Sequence, residues 1–428
     1  MNEYDSAKIA DILTTSHGFT TTEVLNQADL IILNTCSIRA KATEKIFSEL
    51  GRLRSLKKKN PNLILAVGGC VAMQEQKNVF HRAPYVDIVF GPQTLHRLPE
   101  MYEKILQKKR HVIDISTPQI EKFDYFPSPK LTGPTAYVSI IEGCNKFCSY
   151  CIVPYTRGRE ISRPLQDILR EIKNLTKQGA KEIHLLGQNV NAYRDPNKPA
   201  TFADLIHATA AIEAVELIHF MTSHPSEFSD DLITAFATET KLANHLHLPI
   251  QSGSNRILKL MRRGYTKEEY QEIIAKIRKM RPNISISTDF IVGFPGETEE
   301  DFVQTLETAR EINFDMAYSF IYSPRPNTAA IKLEDNVSLA EKKQRLTTLQ
   351  DQLTIQSLRY NQAMIGTTQK ILVNSCSKKN SQQFSGRTEN NRIVNFTSTE
   401  NILGKIVEVK ITEALANSLR GEIIISAF

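Results

Sequence analysis

No stretch of this sequence approaches the roughly 18 consecutive apolar residues that would suggest a membrane-spanning helix. The first residues, Met1-Asn2-Glu3-Tyr4-Asp5-Ser6, supply neither a basic n-region nor an apolar h-region, so no secretory address is expected and the cytoplasm is the default. Cysteine is scarce. Six in 428 residues are too few for a disulfide scaffold, and in a reducing compartment clustered cysteines are more often metal ligands or catalytic groups. There is no repeat of fixed period and no long low-complexity segment. Charge of one sign is not in large excess: the formal net charge of +6 permits a polyanionic partner such as RNA without requiring one.

The composition, 41% hydrophobic and 23% charged with a mean hydropathy of -0.29, is that of a folded chain. Its length predicts two or three domains. Over the first ~115 residues, apolar runs at Ala28–Leu33, Leu63–Gly68 and Val86–Phe90 read as buried strands, with a helical pattern at Ala40–Leu56. This alternation predicts a doubly wound parallel sheet. Pro127, Pro129, Gly133 and Pro134 mark a linker. Strand patterns then recur at Tyr137–Ile141, Glu182–Leu186, Leu217–Thr222, His245–Ile250, Ser285–Phe290 and Ala317–Ile321. Helical patterns such as Leu165–Lys177, Lys267–Met280 and Glu300–Ile312 separate them. Six such units predict a partial (β/α)6 barrel, since a complete eight-unit barrel takes about 250 residues. After an amphipathic helix at Leu339–Met364, short alternating runs at Gln369–Val373, Arg392–Phe396, Lys405–Ile411 and Gly421–Ser426, with a polar loop at Ser375–Ser385, predict a small antiparallel β-barrel. The expected domains are 1–118, 130–365 and 366–428.

Three of the cysteines fall in one loop, Gly143-Cys144-Asn145-Lys146-Phe147-Cys148-Ser149-Tyr150-Cys151, just after a predicted strand. Three thiolates at C-x3-C-x2-C spacing can hold three irons of a [4Fe–4S] cluster and leave the fourth iron free of protein. An iron left open in this way can be chelated by S-adenosylmethionine, whose reductive cleavage releases a 5′-deoxyadenosyl radical. A structural zinc is the alternative; it needs a fourth ligand, and no further Cys or His lies nearby in sequence. In a parallel barrel the chemistry sits at the carboxyl ends of the strands. Past the predicted strands, or near their ends, stand Gln188-Asn189, Ser223-His224, Gln251-Ser252, Asp289, and Tyr322 with Arg325. Taken singly, each of these is an ordinary turn or cap. Thr298 with Asp301 reads as a helix N-cap, and Gly293-Phe294-Pro295-Gly296 as a tight turn. His245 and His247 read as barrel-lining histidines, and Arg52, Arg54, Lys57, Lys58 and Lys59 as a solvated helix end.

With these motifs the sequence resembles the methylthiotransferases of the radical S-adenosylmethionine superfamily. The resemblance also rests on Asn34-Thr35-Cys36-Ser37-Ile38-Arg39, Val67-Gly68-Gly69-Cys70-Val71-Ala72, Phe90-Gly91-Pro92-Gln93 and Pro154-Tyr155-Thr156-Arg157-Gly158-Arg159-Glu160. It continues through Leu186-Gly187-Gln188-Asn189-Val190-Asn191, Thr222-Ser223-His224-Pro225, Gln251-Ser252-Gly253-Ser254, Gly293–Thr298 and Tyr322-Ser323-Pro324-Arg325-Pro326. Gly386–Arg392 lies in a last domain that resembles the family's RNA-binding TRAM barrel.

The resemblance implies methylthiolation at C2 of N6-dimethylallyladenosine at position 37 of tRNA. Sister families instead act on threonylcarbamoyl-adenosine or on an aspartate of a ribosomal protein. A non-catalytic iron–sulfur RNA-binding protein is the alternative from another class. The resemblance assigns the radical-generating cluster to Cys144, Cys148 and Cys151. It assigns a second [4Fe–4S] cluster to Cys36, Cys70 and a third cysteine, in a Gly-Cys-Gln motif that would directly precede Met1 and is not in this sequence; nor is the family's first strand. Without the resemblance, Cys36 and Cys70 would read as buried core cysteines. The pocket for S-adenosylmethionine is expected at Gln188, Ser223, Gln251, Asp289 and Tyr150, and RNA contacts at Arg387 and Arg392. Cys376 matches no ligand. The expected partners are a tRNA anticodon loop and an electron-donor protein, with the chain a monomer.

Overall fold

The structure is a computed structural model that describes residues 1–37, 40–118, 122–377, 380 and 382–424. Ile38 and Arg39 of the first cysteine motif lie outside the described residues, as do residues 378, 379 and 381 of the expected polar loop and the end of the last expected strand. The chain divides into two units. One is formed by residues 1–130, 142–161 and 323–331, the other by 131–141, 162–322 and 332–428.

The first unit is built on four parallel strands in chain order, Leu30–Thr35, Ile64–Gly69, Ile88–Phe90 and Val112–Asp114. Ile64–Gly69 is buried at every position, as a strand covered on both faces must be. On one face Ile9, Ile12 and Leu13 of the helix Asn2–His17 pack with Leu98 and Met101 against Ile64, Ile88 and Phe90. On the other, Ile46 and Leu50 of the helix Ala40–Lys59 pack with Val71 and Ala72 against Val67 and Val89. Helices on both faces make this the doubly wound layering expected. The strand Val112–Asp114 has no counterpart among the expected elements: at three half-buried residues it is too short to carry a pattern.

The second unit holds two three-stranded parallel sheets. One is Thr135–Ser139, Glu182–Leu186 and Leu217–Phe220; the other is His245–His247, Ser285–Val292 and Met316–Ile321. These are the six strands of the expected partial barrel. Leu165–Lys177, Lys267–Met280 and Glu299–Ile312 form the intervening helices at the expected places. Thr266 with Glu269, Thr298 with Asp301 and Ser338 with Glu341 close reciprocal capping boxes that start three of the helices.

Each strand sends one set of side chains to the helices, where Val138, Ile183, Leu185, Ile218 and Ile286 form the main core. The alternate positions are polar. Tyr137, His184 and His219 are register partners across three strands, and Asp289 is paired with Tyr318. The barrel therefore has an apolar outer jacket and a polar inner face, as a ligand-holding barrel requires.

The C-terminal strands close a barrel in the order Thr368–Cys376, Gln383–Arg387, Ile393–Thr397, Leu419–Ile423 and Ile406–Ala414. Closure pairs Val394 with Leu419 in parallel, whereas the other neighbours run antiparallel. Ile371, Val373, Phe384, Val394 and Val409 fill it. The strand Gln383–Arg387 begins inside the segment expected to be a polar loop. Only Phe384 and Gly386 of it face inward, and a Cβ on Gly386 would fall 2.3 Å from the Leu372 carbonyl oxygen. A glycine demanded by close strand approach erases the apolar alternation that sequence reading depends on.

Candidate functional site

In the first unit the cysteine loop is shaped by its own backbone. Gly143 has φ of 76°, and a Cβ there would sit 2.0 Å from the Arg159 carbonyl oxygen, so only glycine allows the loop to close on its return segment. Cys144 N donates to Gly158 O at 3.3 Å, tying it to the return segment, and Cys151 N donates to Cys148 O at 2.9 Å, closing a turn between those two cysteines. Glu160 N donates to Asn145 Oδ1 at 3.1 Å, and Ala330 N to Ser149 O at 2.7 Å. Cys148 is buried, whereas Cys144 and Cys151 are half-buried, and none of the six cysteines forms a disulfide. Burial pushes the Cys144 thiol up to about 11. Such a thiol binds a metal as the thiolate, the metal displacing its proton to solvent. Phe147, with φ of 48°, is exposed and meets Tyr155 edge-on at 6.2 Å, and Tyr150 is half-buried in the same loop.

Cys36 and Cys70 directly follow Thr35 and Gly69, which are register partners in neighbouring parallel strands. They emerge side by side at the carboxyl end of the sheet. Gly69 has φ of 86°, and a Cβ there would crowd Asn34 Oδ1 and Thr35 O at 2.6 Å. Each cysteine lies within the field of an arginine, Cys70 with Arg157 and Cys36 with Arg325. Cys376 is exposed.

Sequence reading did not find the charged network around these loops. Arg157 Nη2 donates to Asp5 Oδ2 at 2.6 Å, Lys122 Nζ lies 2.6 Å from the Glu142 carboxylate, and Gln93 Nε2 donates to Glu142 and to Arg157 O. All five side chains are buried. Burial works against the charge of Arg157, and the negative groups around it, Asp5 first, more than offset it. Lys122 carries no local signal. It stands in a loop, and its partner comes from a distant segment.

In the second unit Gln188 is half-buried just past the strand Glu182–Leu186. Ser223 is buried and its hydroxyl donates to His247 O at 2.5 Å. Gln251 is buried with φ of 77°, Thr222 has φ of 66°, and Thr222 Oγ1 donates to Gly187 O at 2.7 Å. Left-handed backbone at two non-glycine strand ends is strain of the kind concentrated at functional sites. Asp289 does not stand past a strand end. The strand runs on to Val292, and Asp289 sits within it on the inner face, 3.5 Å from His247 Nε2. His245 and His247 both lie 2.9 Å from Ser287 Oγ, as lining residues. Asn189, expected past the strand beside Gln188, was not among the expected cofactor contacts. It is 1% exposed, and neither its amide nitrogen nor its amide oxygen has a hydrogen-bond partner among the described residues. A buried amide left unpaired costs about 1–3 kcal/mol, and a polar ligand would satisfy it. This orphaned amide fits a pocket for the polar groups of S-adenosylmethionine.

Arg387 is half-buried and donates to Asn391 O and Oδ1 at 3.1 Å. Arg392 is the correction. It is 4% exposed, and its guanidinium donates to Asn361 Oδ1 at 2.7 Å and Asp315 Oδ1 at 3.0 Å, which leaves it no face for RNA. In the basic run, Lys57 pairs with Asp87 at 2.8 Å and Arg52 with Glu49, in keeping with a helix end.

Fold and site together define a radical SAM enzyme. The Radical SAM superfamily model matches residues 138–309, the Uncharacterized protein family UPF0004 model residues 1–91, and the TRAM domain model residues 362–424. Among solved structures, the radical S-adenosylmethionine methyltransferase TsrM from Kitasatospora setae is similar at a TM-score of 0.55 and 15% identity, over 76% of this chain and 72% of that one. The cobalamin-dependent radical enzyme OxsB is similar at a TM-score of 0.52 and 14% identity, over 82% and 53%. These likenesses speak for the fold. Two relatives, each a tRNA-2-methylthio-N(6)-dimethylallyladenosine synthase, come from Mannheimia succiniciproducens and Actinobacillus succinogenes. Each is 56% identical over 427 residues, 99% of this chain and 90% of the relative. The chain belongs to the tRNA-2-methylthio-N(6)-dimethylallyladenosine synthase family.

Proposed function

We propose that this chain methylthiolates C2 of N6-dimethylallyladenosine at position 37 of tRNA, as a radical SAM methylthiotransferase. The observation that carries the reading is 56% identity to synthases of that product over 99% of the chain. When bound, a [4Fe–4S] cluster and S-adenosylmethionine supply one-electron cleavage of a carbon–sulfur bond and a radical able to attack an unactivated C–H.

Cys144, Cys148 and Cys151 hold that cluster; their spacing in one loop, with a turn closed between Cys148 and Cys151, supports this role. Gln188, Ser223, Gln251, Asp289 and Tyr150 are the proposed cofactor contacts, to which the orphaned amide of Asn189 is added. Ser223 acts through its neighbours, its hydroxyl being spent on His247 O. Cys36 and Cys70 are proposed ligands of a second [4Fe–4S] cluster. Their emergence side by side at the carboxyl end of the sheet, each within the field of an arginine, supports this role.

The substrate segment is the anticodon loop, where a base leaves its stack at least cost. Arg387, on the TRAM-matched barrel, is the proposed phosphate contact. Domains at 1–118, 130–365 and 366–428, a monomeric chain, an electron-donor protein and a cytoplasmic location complete the proposal. Among the described residues no helix is long and apolar enough to cross a membrane.

The test is expression of the chain in a bacterial host lacking its own enzyme of this type, followed by mass spectrometry of digested tRNA. The 2-methylthio nucleoside is expected with the parent and not with Cys148→Ala. Equal product from both would sink the reading.

A further inference from the structure

The strand Met316–Ile321 is the edge of its sheet. Ser285–Val292 pairs with it on one side, and among the described residues no strand pairs with it on the other. Ala317 and Ile321 turn to the main core, whereas Tyr318 is the register partner of Asp289 and is 43% exposed. A singly exposed aromatic is ordinary. This one borders a cleft of about 640 Å3, a size that suits a small ligand. His247 meets the Tyr318 ring at 69° with centroids 6.2 Å apart, and the hydroxyl lies 3.3 Å from Met316 Sδ. Among the described residues no ring lies parallel to Tyr318, so a face stays open for stacking.

The helix Leu339–Ala363 and the C-terminal barrel line the same cleft. Gln350, Thr354 and Ser357 recur at helical spacing along it and offer amide and hydroxyl groups. The barrel contributes Arg387, Asn391 and Arg392, and among the described residues no Asp or Glu lines the cleft. The two arginines differ. Arg392 is buried, and Asp315 at 3.0 Å matches its charge. Arg387 spends Nη1 on the uncharged oxygens of Asn391, and among the described residues no carboxylate pairs with it. Burial foremost, with the charge of Arg387 among the lesser causes, lowers the proton affinity of His219 and His245. That charge therefore looks onto the inner face of the sheets. Asp289 is the opposing charge near Tyr318, and it is set against His247 Nε2 at 3.5 Å.

We infer that this cleft holds one unpaired nucleotide of the RNA substrate, its base stacked on Tyr318 and its phosphate on Arg387. An open aromatic face suits a base plane, an unmatched guanidinium suits a phosphate, and the helix groups suit base edges and the 2′-hydroxyl. A base inside a duplex offers no free face, so the cleft selects a loop. The inference rests on the tRNA reading above and adds Tyr318 as a positioning residue for the substrate loop.

The test uses the full chain, loaded anaerobically with its clusters, and two fluorescent RNAs. One is an anticodon stem-loop carrying N6-dimethylallyladenosine, the other a fully paired duplex of the same length. Anisotropy titrations at several salt concentrations give the affinity and its salt slope. Tyr318→Ala is expected to weaken stem-loop binding about tenfold, and duplex binding by less than about twofold. Its salt slope should match that of the parent, because no phosphate contact is lost. Tyr318→Phe keeps the ring and should bind as the parent does. Arg387→Ala should instead lower the slope by about 1. A thermal melt near that of the parent checks that each variant is folded. Equal stem-loop affinity in the parent and Tyr318→Ala, an equal loss on the duplex, or an unchanged slope in Arg387→Ala would each overturn the inference and leave the tRNA reading standing. A parent that binds the stem-loop no better than the duplex would overturn both.

Discussion

Arg157 and Asp5 stand 152 residues apart in the chain, yet Nη2 of the one lies 2.6 Å from Oδ2 of the other, with both side chains all but excluded from solvent. The pair ties the segment after the cysteine loop to the first helix. Removing one member leaves a buried charge unmatched, at a cost of about 3–5 kcal/mol. Arg157→Ala and Asp5→Ala are each expected to lower the unfolding free energy by that amount in denaturant titrations. The double variant should lose less than the sum of the two.

Gly143→Ala should damage the cysteine loop more than the fold. The added methyl meets the Arg159 carbonyl oxygen at 2.0 Å in a left-handed backbone, and the loop can relieve this only by opening. Iron bound after anaerobic reconstitution is expected to drop severalfold, whereas the far-ultraviolet circular dichroism stays near that of the parent. Full iron loading would contradict this account of the loop.

Asp301 gives a pH dependence whose sign is fixed by its partners. Burial works to raise its carboxyl, and hydrogen bonds from Arg256, Ser254 and Thr298 overcome that and hold it at about 2, below its ordinary 3.8. A depressed carboxyl contributes stability that is complete above its unfolded value and is lost as pH falls through its folded one. The difference in melting temperature between the parent and Asp301→Asn should therefore be constant above about pH 5 and shrink between about pH 4 and 2.

Arg387 and Arg392 separate binding from stability. Arg392→Ala breaks a buried ion pair with Asp315 and should lower the melting temperature. Arg387→Ala should leave the melt within about 0.5 kcal/mol of the parent. It should weaken tRNA binding and reduce the slope of log K against log salt by about 1. A filter-binding titration at several salt concentrations reads both slopes.

Asn189→Leu tests the orphaned amide. Removal of unpaired buried polar atoms should stabilise the free protein by about 1 kcal/mol, while the affinity for S-adenosylmethionine falls at least roughly tenfold. Calorimetric titration of the cluster-loaded protein measures the second effect. An unchanged affinity would remove Asn189 from the pocket.

The sequence by itself determined the local and the covalent. The spacing of Cys144, Cys148 and Cys151, the parallel strand–helix alternation and the N-cap at Thr298 are all set within a few residues, and each was legible. So was the family, because its motifs are ordered along the chain. Only the tertiary structure decided which long side chains find partners. Arg392 reads as a surface arginine until Asp315 and Asn361 are seen to bury it, and Asp289 as a strand-end group until its strand is seen to run on to Val292. Lys122 with Glu142, Arg157 with Asp5, and Glu182 with His219 were invisible for one reason. A buried charge is tolerated only where the fold brings its partner, and that meeting is a property of packing between segments distant in sequence.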